Sequence, residues 1–511
     1  MSPSDVRDVD VLIVGAGLSG VGAAAQLSWR CPSLSYAVVE RRQAIGGTWD
    51  LFRYPGIRCD SDMATLGYSF RPWPDDDVII EGDAVRRYIT DTADAYGVTE
   101  HIHFGHRVER ASWSTPDARW TVTAVVEETG EEVVFTAGFV IGCTGYFSHD
   151  EPHVADLPGL DSFAGDVIHP QFWDTDYDHA DKRVVVIGSG ATAVSLVPAL
   201  AETAAHVTML QRSPSYYLTL PSTDTTVTAI RRLLPEDLAI RLIRGRNTAI
   251  QLGLYRFSQR FPNVTRKALL AGVRAQIGDD LDMRHFTPRY DPWDERLCAV
   301  PDGDFFRALR SGRASIVTDT IATFTATGVR LTSGEELDAD LVVPATGLQL
   351  ELMGQVVADV DGVEIDPTTQ PTYKGVMLNG VPNFAFVFGY VNVSWTRKAD
   401  LAAEYVCRLL NEMQRTGHRQ VTPVGGEAAI TDEPFIEMTS GYVVRNHHLM
   451  PKQGARRPWR NSQNVFTDMV TLRHGPIRDR HLRFGDPTVA NRSSSIGDRI
   501  ARRARAIVSA S

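Results

Sequence analysis

The chain has 511 residues, 43% hydrophobic and 23% charged, with 52 Lys and Arg against 63 Asp and Glu. This length predicts two or three domains, and the formal net charge of −11 argues against nucleic-acid binding. No apolar run approaches the roughly 20 residues needed to cross a bilayer, and five scattered cysteines without a CxxC pair predict a reducing, cytoplasmic setting with neither a disulfide framework nor a metal site.

The first recognisable element is a β run, Val11 to Val14, that leads directly into the turn GAGLSG and an alanine-rich helical segment. Glycines in such a turn permit a tight bend, close approach of the backbone to a pyrophosphate, and close packing of helix on strand. These glycines are Gly15, Gly17 and Gly20. A second β run ends at Glu40, where a carboxylate binds the ribose hydroxyls of an unphosphorylated adenosine. The pattern predicts a dinucleotide site.

The same pattern recurs at VVVIGSGATA, which begins at Val184. Its turn residues are Gly188, Gly190, Thr192 and Ala193. The next β run ends in Gln211-Arg212-Ser213, so no acid stands where Glu40 stands in the first copy. A guanidinium there binds a 2′-phosphate that a carboxylate would repel. The second turn therefore predicts an NADPH site, with Arg212 and Ser213 at the 2′-phosphate. The alternative is that Arg212 is an exposed arginine with no phosphate role.

Two further stretches favour FAD at the first site. Gly47, Thr48 and Trp49 follow Glu40 closely, where a planar ring system needs close approach of the backbone. Much later, Trp395 stands at the start of a helical stretch. The amino terminus of that helix would stabilise negative charge on a reduced flavin.

The order of these units predicts an α/β fold with two Rossmann-like dinucleotide-binding domains, the NADPH domain inserted into the FAD domain. Residues 1–150 and 346–511 are assigned to the FAD-binding domain, and residues 151–222 and 303–345 to the NADPH-binding domain. Residues 223–302 are rich in helical periodicity and are predicted to form a helical excursion.

Two longer fingerprints indicate a family. The stretch FAGDVIHPQFWD fits the pattern FxGxxxHxxxW[PD] through Phe163, Gly165, His169, Trp173 and Asp174. The stretch GGTWDLFRYPGIRCD fits a second pattern through Gly47, Trp49, Tyr54, Pro55, Gly56 and Asp60. With both glycine turns in order around them, the chain resembles the type I Baeyer–Villiger monooxygenases over nearly its whole length, and it is most similar to their ethionamide-activating branch. In that family the first fingerprint is an interdomain linker whose histidine helps couple the position of the NADPH domain to the flavin chemistry and does not donate a proton to substrate; on spacing alone, His169 would be a structural histidine.

The resemblance implies an FAD- and NADPH-dependent enzyme that uses O₂ to form a C4a-peroxyflavin and inserts oxygen next to a ketone carbonyl, giving an ester or lactone. It also implies that Arg296 is the catalytic cation and that Asp60 holds it in position; the alternative is an ordinary surface ion pair at Arg296. Oxygenation of a sulfide, thioamide or amine by the same intermediate is the alternative reaction. One departure is Glu295, which stands where several ketone-oxidising relatives carry a lysine that binds the 2′-phosphate.

Other functions and partners remain open at this stage. A flavin-dependent disulfide reductase needs a redox cysteine pair close in sequence, which this chain lacks. A non-catalytic nucleotide sensor would consume no NADPH. The loop with Lys452, Arg456, Arg457 and Arg460 is either a solvated surface or a lid over a ligand, and the basic run Arg499 to Arg505 is either an exposed terminus or a contact with anionic lipid. Small-molecule substrate and O₂ are the predicted partners, and the sequence does not indicate the oligomeric state.

Overall fold

Two large sheets organise the chain in the computed structural model, which describes residues 6–153, 155–279, 281–295, 297–436, 438 and 440–486. In chain order the strands are β1 (Val6–Val14), β2 (Tyr36–Val39), β3 (Ile102–His103), β4 (His106–Ser114), β5 (Arg119–Val126), β6 (Glu132–Gly142), β7 (Asp166–Val167), β8 (Arg183–Ile187), β9 (His206–Gln211), β10 (Tyr217–Leu220), β11 (Cys298–Pro301), β12 (Ala314–Thr318), β13 (Ile321–Thr325), β14 (Gly328–Leu331), β15 (Glu336–Asp338), β16 (Leu341–Pro344), β17 (Val357–Val360), β18 (Val363–Glu364), β19 (Thr372–Tyr373), β20 (Met377–Leu378), β21 (Phe384–Phe386), β22 (Gln420–Pro423), β23 (Ile430–Thr431), β24 (Gln453–Gly454) and β25 (Leu482–Gly485).

The helices lie on these sheets and in one excursion between them. In chain order they are α1 (Leu18–Arg30), α2 (Thr48–Leu51), α3 (Met63–Leu66), α4 (Gly82–Ala95), α5 (Ala191–Leu200), α6 (Thr225–Leu233), α7 (Glu236–Arg260), α8 (Pro262–Ile277), α9 (Asp304–Arg310), α10 (Thr396–Thr416), α11 (Gly441–Arg445) and α12 (Val465–Asp468). Short 3₁₀ turns span Thr99–His101, Leu160–Ser162, Pro170–Phe172, Met283–Phe286, Met353–Gln355, Pro367–Thr369, Glu427–Ala429 and His447–Leu449, and a π turn spans Met469–His474.

The first sheet has the order β18-β17-β4-β5-β6-β1-β2-β3, with β21 also paired to β6. Its dinucleotide-binding half is parallel: β1 lies between β2 and β6, and β2 pairs with β3. The strands β4, β5 and β6 form an antiparallel extension. Because β2 and the part of β1 from Val11 to Ile13 are buried, both are continuous apolar runs, as parallel strands covered by helices require.

The second sheet has the order β12-β9-β8-β16-β7 and its pairings are all parallel. It is built from residues between β6 and β17, which both belong to the first sheet. The second dinucleotide unit is therefore inserted into the first, as predicted. The strands β13, β14 and β15 form a separate antiparallel ribbon, which the chain builds between β12 and β16 of the second sheet.

The predicted helical excursion consists of α6, α7 and α8, which follow one another between residues 225 and 277. The sequence missed one feature at its root: β10 pairs in parallel with β11, so the chain leaves and re-enters this region through two adjacent strands. A buried arginine fixes the excursion to the first unit, because Arg244 of α7 donates hydrogen bonds to the carbonyls of Ala64 and Gly67 at 3.0 and 2.6 Å. The excursion is thus fixed against the first dinucleotide unit.

Each dinucleotide unit has its own apolar core. In the first, α1 and α10 contribute small and branched side chains to one buried cluster. In the second, α5, α9 and the strands β8, β9 and β16 do the same. Each of the five cysteines is buried and unpaired. Across the described ranges, no helix combines the length and the apolar character that crossing a bilayer needs.

Candidate active site

The first glycine turn is shaped so that only glycine fits at two of its positions. Gly15 has φ of +104°, and a Cβ there would lie 2.5 Å from the carbonyl oxygen of Cys143 on the neighbouring chain crossing. A Cβ at Gly20 would lie 1.8 Å from the carbonyl oxygen of Gly15. Helix α1 therefore begins directly against the end of β1, with Gly17 at its amino terminus. This geometry leaves backbone N–H groups at the helix start for a pyrophosphate.

Glu40 lies immediately after β2, as the sequence predicts. Its carboxylate is buried and accepts hydrogen bonds from the N–H groups of Ala16 and Arg42, at 2.6 and 2.8 Å. Burial raises the pKa of Glu40, and the two backbone donors oppose that rise. The donors orient the carboxylate beside the glycine turn, where it lines the same cavity as Gly15 and Gly17. Its position suits a ribose bound across the turn.

A third segment closes over this turn. The backbone of Gly46 pairs with that of Gly17, and Gly47, with φ of +56°, directly precedes the short helix α2. A Cβ at Gly17 would come within 3.4 Å of the Gly47 Cα, so two glycines allow the chains to meet. Thr48 and Trp49 follow and line the cavity. The structure thus brings this segment onto the first glycine turn.

Trp395 reaches the same turn from the other end of the chain. It precedes α10, and its ring stacks on Tyr146 with centroids 5.0 Å apart and planes 13° apart. Its indole N–H donates to Ser19 Oγ at 2.9 Å. Tyr146 and Ser19 are site residues that the sequence did not indicate, because no local pattern distinguishes them.

A single cavity of about 660 Å³ connects these features to the helical excursion. At one end it is lined by the glycine turn and Glu40, and at the other by side chains of α7. Asp60 is exposed and also lines this cavity. Arg296 lies outside the described residues; Trp293 and Leu297, on either side of it in sequence, both line the cavity.

The excursion end of the cavity combines apolar and polar walls. Leu218, Leu220, Ile250 and Leu254 supply apolar surface. Opposite charges and amides form a polar strip that the sequence did not indicate: Asp62 accepts hydrogen bonds from Asn247, at 3.0 Å, and from Gln251. Arg246 donates to Asp224 at 2.6 Å in the same wall. This end suits a largely apolar molecule that carries one polar group.

The second glycine turn repeats the first with a different close contact. Gly188 has φ of +144°, and a Cβ there would lie 2.2 Å from the carbonyl oxygen of Ala345. Gly190 precedes α5, and a Cβ on it would meet no atom within 4 Å. Ala193 is fully buried one turn into α5, and Thr192 accepts a hydrogen bond from Ser195 through its carbonyl at 3.0 Å. Open space in front of Gly190 suits a pyrophosphate.

Arg212 and Ser213 are exposed beyond the end of β9. Two charged groups lie near enough to the Arg212 guanidinium to feel its charge. Burial raises the pKa of Glu295, and the positive charge of Arg212 opposes that rise. Burial lowers the pKa of Arg445, and Arg212 lowers it further. Glu295, which stands where several relatives carry a lysine, therefore lies near Arg212, the arginine predicted to bind the 2′-phosphate. A second cation near Arg212 is Arg445 of α11, from the carboxy-terminal region.

The first fingerprint lies along the edge of the second sheet. Its Phe163 ring folds over Gly165, where a Cβ would be 2.5 Å from that ring, and β7 pairs with β16. Trp173 is buried in the core of the second unit, and Asp174 is exposed. His169 Nδ1 accepts a hydrogen bond from the N–H of Gln171 at 3.2 Å. Burial lowers the pKa of His169 to about 4, so its ring is neutral at pH 7.

The second fingerprint joins the two units. Gly56 has φ of +76°, and a Cβ there would lie 2.3 Å from the carbonyl oxygen of Ser195 in α5. Tyr54 is buried beside the same helix, and burial raises the pKa of its hydroxyl. Arg58 forms an ion pair with Asp304 of α9. The segment between Gly47 and Asp60 therefore touches both dinucleotide units.

The carboxy-terminal basic residues lie away from this site. Lys452, Arg456 and Arg457 are exposed, and Arg460 pairs with Glu433 at 3.2 Å. None of the four lines the cavity. The basic run Arg499 to Arg505 lies outside the described residues. Within the part of the chain that the structure describes, no group of three His, Cys, Asp or Glu side chains is placed to hold a metal ion.

The residues at the first turn fit a flavin dinucleotide. Glycines stand where a Cβ would fill the space, a buried carboxylate stands at the ribose position, and a long cavity continues from them. The second turn fits a phosphorylated dinucleotide, because it has open space at Gly190 and an exposed cation at Arg212.

Comparison with known proteins agrees with this geometry. Residues 8–226 match the family model described as flavin-binding monooxygenase-like. The chain is 49% identical over 478 residues to the FAD-containing monooxygenase EthA of Mycobacterium tuberculosis, covering 93% of this chain and 97% of that protein. It is 46% identical over 484 residues to the probable FAD-binding monooxygenase AlmA of Acinetobacter baylyi, covering 94% and 97%.

Solved structures show the same fold. An oxidized steroid monooxygenase bound to NADP has a TM-score of 0.71 at 22% identity, and cyclohexanone monooxygenase bound to ε-caprolactone has a TM-score of 0.69 at 21% identity. Each comparison covers 94% of this chain and 100% of the other. The α/β fold with two dinucleotide units is confirmed, as is the resemblance inferred from the fingerprints. The chain belongs to the flavin-binding monooxygenase-like family.

Proposed function

We propose that this flavin monooxygenase inserts one oxygen atom next to a ketone carbonyl, giving an ester or lactone. FAD and NADPH are its cofactors, as the relatives and the NADP-bound structural neighbour confirm. The observation that supports the reaction is one cavity lined by the first glycine turn, by Asp60 and by the apolar wall of the excursion. A ketone held on that wall would lie in the same cavity as the residues that would hold FAD.

Each cofactor would be held by groups already described. Gly15, Gly17 and the start of α1 would face the FAD pyrophosphate, and Glu40 would bind its ribose. Gly190 and Arg212 would bind the NADPH pyrophosphate and 2′-phosphate. Reduced FAD, when bound, supplies the electrons that activate O₂ for transfer to the substrate.

A positive charge held by Asp60 would stabilise the negative charge that develops during oxygen transfer. Addition of oxygen to a carbonyl develops negative charge on oxygen, and a fixed cation in a dry site stabilises such charge far more than water does. We assign that role to the Arg296 guanidinium, held by the Asp60 carboxylate. The apolar side chains Leu218, Leu220 and Leu254 would exclude water from the reacting group.

Oxygenation at sulfur or nitrogen is the second candidate. Asp62, Asn247 and Gln251 give the excursion wall a polar strip, which suits a thioamide or amine better than an unadorned alkyl ketone. Both reactions need the same cofactors and the same cavity.

A paired substrate panel separates the two reactions. Ketones and thioethers of matched chain length would be supplied with NADPH and O₂, and products identified by mass spectrometry. An ester or lactone at higher kcat/KM than the sulfoxide supports the ketone reaction, and the reverse order supports heteroatom oxygenation. If NADPH is not consumed with any substrate, the protein is a nucleotide sensor and the proposal fails.

A further inference from the structure

The outer face of α7 is an apolar surface with no protein packed on it among the described residues. Leu238, Leu242, Gly245, Ala249, Gly253 and Phe257 recur every three or four residues along it, and all are exposed. Leu242 is 48% exposed and Phe257 is 46% exposed. Surface helices normally turn this kind of stripe toward a core. We refer to these six residues as the α7 stripe.

Neighbouring segments enlarge the apolar surface. Leu233, which ends α6, is 81% exposed. Phe261, between α7 and α8, is exposed, and its ring contacts that of Phe257 at 5.1 Å between centroids. Val264 in the first turn of α8 is also exposed. Large apolar side chains gathered on one surface mark an interaction site.

The same segment is strongly basic in an acidic protein. Residues 225–279 contain ten Lys and Arg against three Asp and Glu, a formal charge of +7, whereas the whole chain carries −11. Arg241, Arg256 and Arg260 are exposed on α7 itself, and Arg232 and Lys267 are exposed on the helices beside it. Cations beside an exposed apolar helix face are the features of a helix that lies in the interface of an anionic bilayer.

The cavity of the candidate active site opens at this surface. Ile250 lines the cavity and is 52% exposed, and it stands one residue from Ala249 of the α7 stripe. Gln251, the next residue, and Leu254, one turn further along the same helix, also line the cavity. One helix therefore carries the apolar surface outside and the substrate wall inside.

We propose that the α7 stripe and its flanking arginines dock the enzyme on anionic lipid, with the cavity opening at Ile250 facing the bilayer. A second copy of the chain is a poorer occupant, because a symmetric contact would bring two segments of charge +7 together. The basic run Arg499 to Arg505 is the other predicted contact with anionic lipid, and variants confined to α7 separate the two.

Co-sedimentation of the full-length, FAD-loaded enzyme tests the docking. Vesicles of phosphatidylcholine alone would be compared with vesicles containing equal parts of phosphatidylcholine and phosphatidylglycerol. We expect binding to the anionic vesicles only, and weakening as salt rises. The double variant Leu242→Glu/Phe257→Glu should reduce binding at least tenfold, because both side chains leave the apolar phase. Arg256→Gln/Arg260→Gln should reduce it about fivefold per cation removed.

Phe466→Glu is the matched control, since Phe466 is 49% exposed on α12 and lies outside this surface. It should bind vesicles as the wild type does. If the wild-type enzyme does not bind anionic vesicles, the proposal is wrong. Full binding by the Leu242→Glu/Phe257→Glu variant also overturns it and assigns the affinity to another part of the chain. A wild-type dimer that becomes monomeric in that variant shows instead that the stripe is a contact between copies.

Turnover gives a second readout, which rests on the proposed function. With a long-chain ketone dissolved in anionic vesicles, the Leu242→Glu/Phe257→Glu variant should lose at least tenfold in kcat/KM. With a short, water-soluble ketone it should match the wild type. An equal loss on both ketones contradicts delivery from the bilayer. Loss of vesicle binding without any ketone turnover would leave docking supported while the proposed reaction failed.

Discussion

The indole N–H of Trp395 donates a 2.9 Å hydrogen bond to Ser19 Oγ, so the residue that precedes α10 is tied to the first turn of α1. A Trp395→Phe variant keeps the aromatic ring but removes the donor. We expect the free energy of unfolding to fall by about 1 kcal/mol, because a partly buried hydroxyl loses its partner. Urea titration of the FAD-loaded protein measures this change.

Trp29→Phe is the control for that change of ring, because Trp29 is exposed on α1 and its indole faces Arg30 rather than a buried acceptor. It should unfold at the wild-type urea concentration. An equal loss in the two variants would mean that ring size, and not the bond to Ser19, sets the stability.

Gly190→Ala should separate the two cofactor sites. A Cβ at Gly190 meets no protein atom within 4 Å, so the variant should fold and hold FAD normally. The added methyl group would occupy space through which the NADPH pyrophosphate approaches the backbone. We expect KM for NADPH to rise at least tenfold, measured by NADPH oxidation.

The matched substitution is Gly272→Ala in α8, where a Cβ is equally unobstructed. Alanine is the better helix former, so this variant should keep the wild-type KM and unfold no earlier. An unchanged KM in Gly190→Ala would place the pyrophosphate elsewhere.

Arg212→Ala tests the preference for NADPH. Loss of a charge-assisted bond to a phosphate costs about 1.5–3 kcal/mol, which corresponds to roughly a 10- to 150-fold rise in KM for NADPH. KM for NADH should not change, because that cofactor has no 2′-phosphate. Arg284→Ala is the control, since this arginine is exposed and pairs with Asp282 at 3.2 Å. Equal effects on both cofactors would remove the assignment.

Asp60→Asn and Arg296→Ala should uncouple NADPH oxidation from product formation. Both variants keep the glycine turns, so NADPH is still consumed, but the charge that favours oxygen transfer is lost or misplaced. We expect hydrogen peroxide to replace most of the product, measured in the same assay. Asp161→Asn, at an exposed carboxylate, should behave as the wild type. Normal product formation by Arg296→Ala would contradict its assignment.

His169 should make the protein less stable as the solution becomes acidic. Its folded-state pKa of about 4 lies below the ordinary value near 6.5, because the ring is buried. The unfolded chain therefore takes up a proton first, and stability is lost as the pH falls from about 6.5 to 4. In His169→Gln this part of the slope, at most about 1.4 kcal/mol per pH unit, should disappear.

Urea unfolding at a series of pH values measures that slope. His448→Gln, at an exposed ring, should leave the slope unchanged. A His169→Gln variant with the full wild-type slope would assign the acid sensitivity to other histidines whose pKa burial lowers, among them His103 and His149, each to about 4, and the buried His285.

Local patterns predicted the glycine turns and the strands before them, because the turn geometry depends on adjacent residues. Strand β1 nevertheless begins at Val6, five residues before the apolar run at Val11. Its first three residues, Val6, Arg7 and Asp8, are exposed, and they are held by pairing with β6. Pairing between distant segments leaves no pattern in either segment alone.

Long-range contacts explain the site residues that the sequence missed. Asp62 and Gln251 are 189 residues apart and meet only because α7 folds over α3. The same is true of β10 and β11, whose pairing closes the excursion. Arg445 reaches the region of Arg212 from α11, and no motif surrounds it. Sequence motifs therefore predicted the glycine turns, whereas the residues that line the cavity are brought together by tertiary packing.

The buried cysteines give this protein an internal set of reporters. Burial raises the pKa of the Cys59, Cys143 and Cys298 thiols to about 12, so the folded chain presents no reactive thiolate at those positions near neutral pH. Alkylation of any one of them therefore requires its surroundings to open. Cys143 adjoins the first glycine turn, and Cys298 begins β11. The alkylation rates of these two cysteines, measured by peptide mass spectrometry, would therefore show whether the flavin unit or the root of the excursion opens more often.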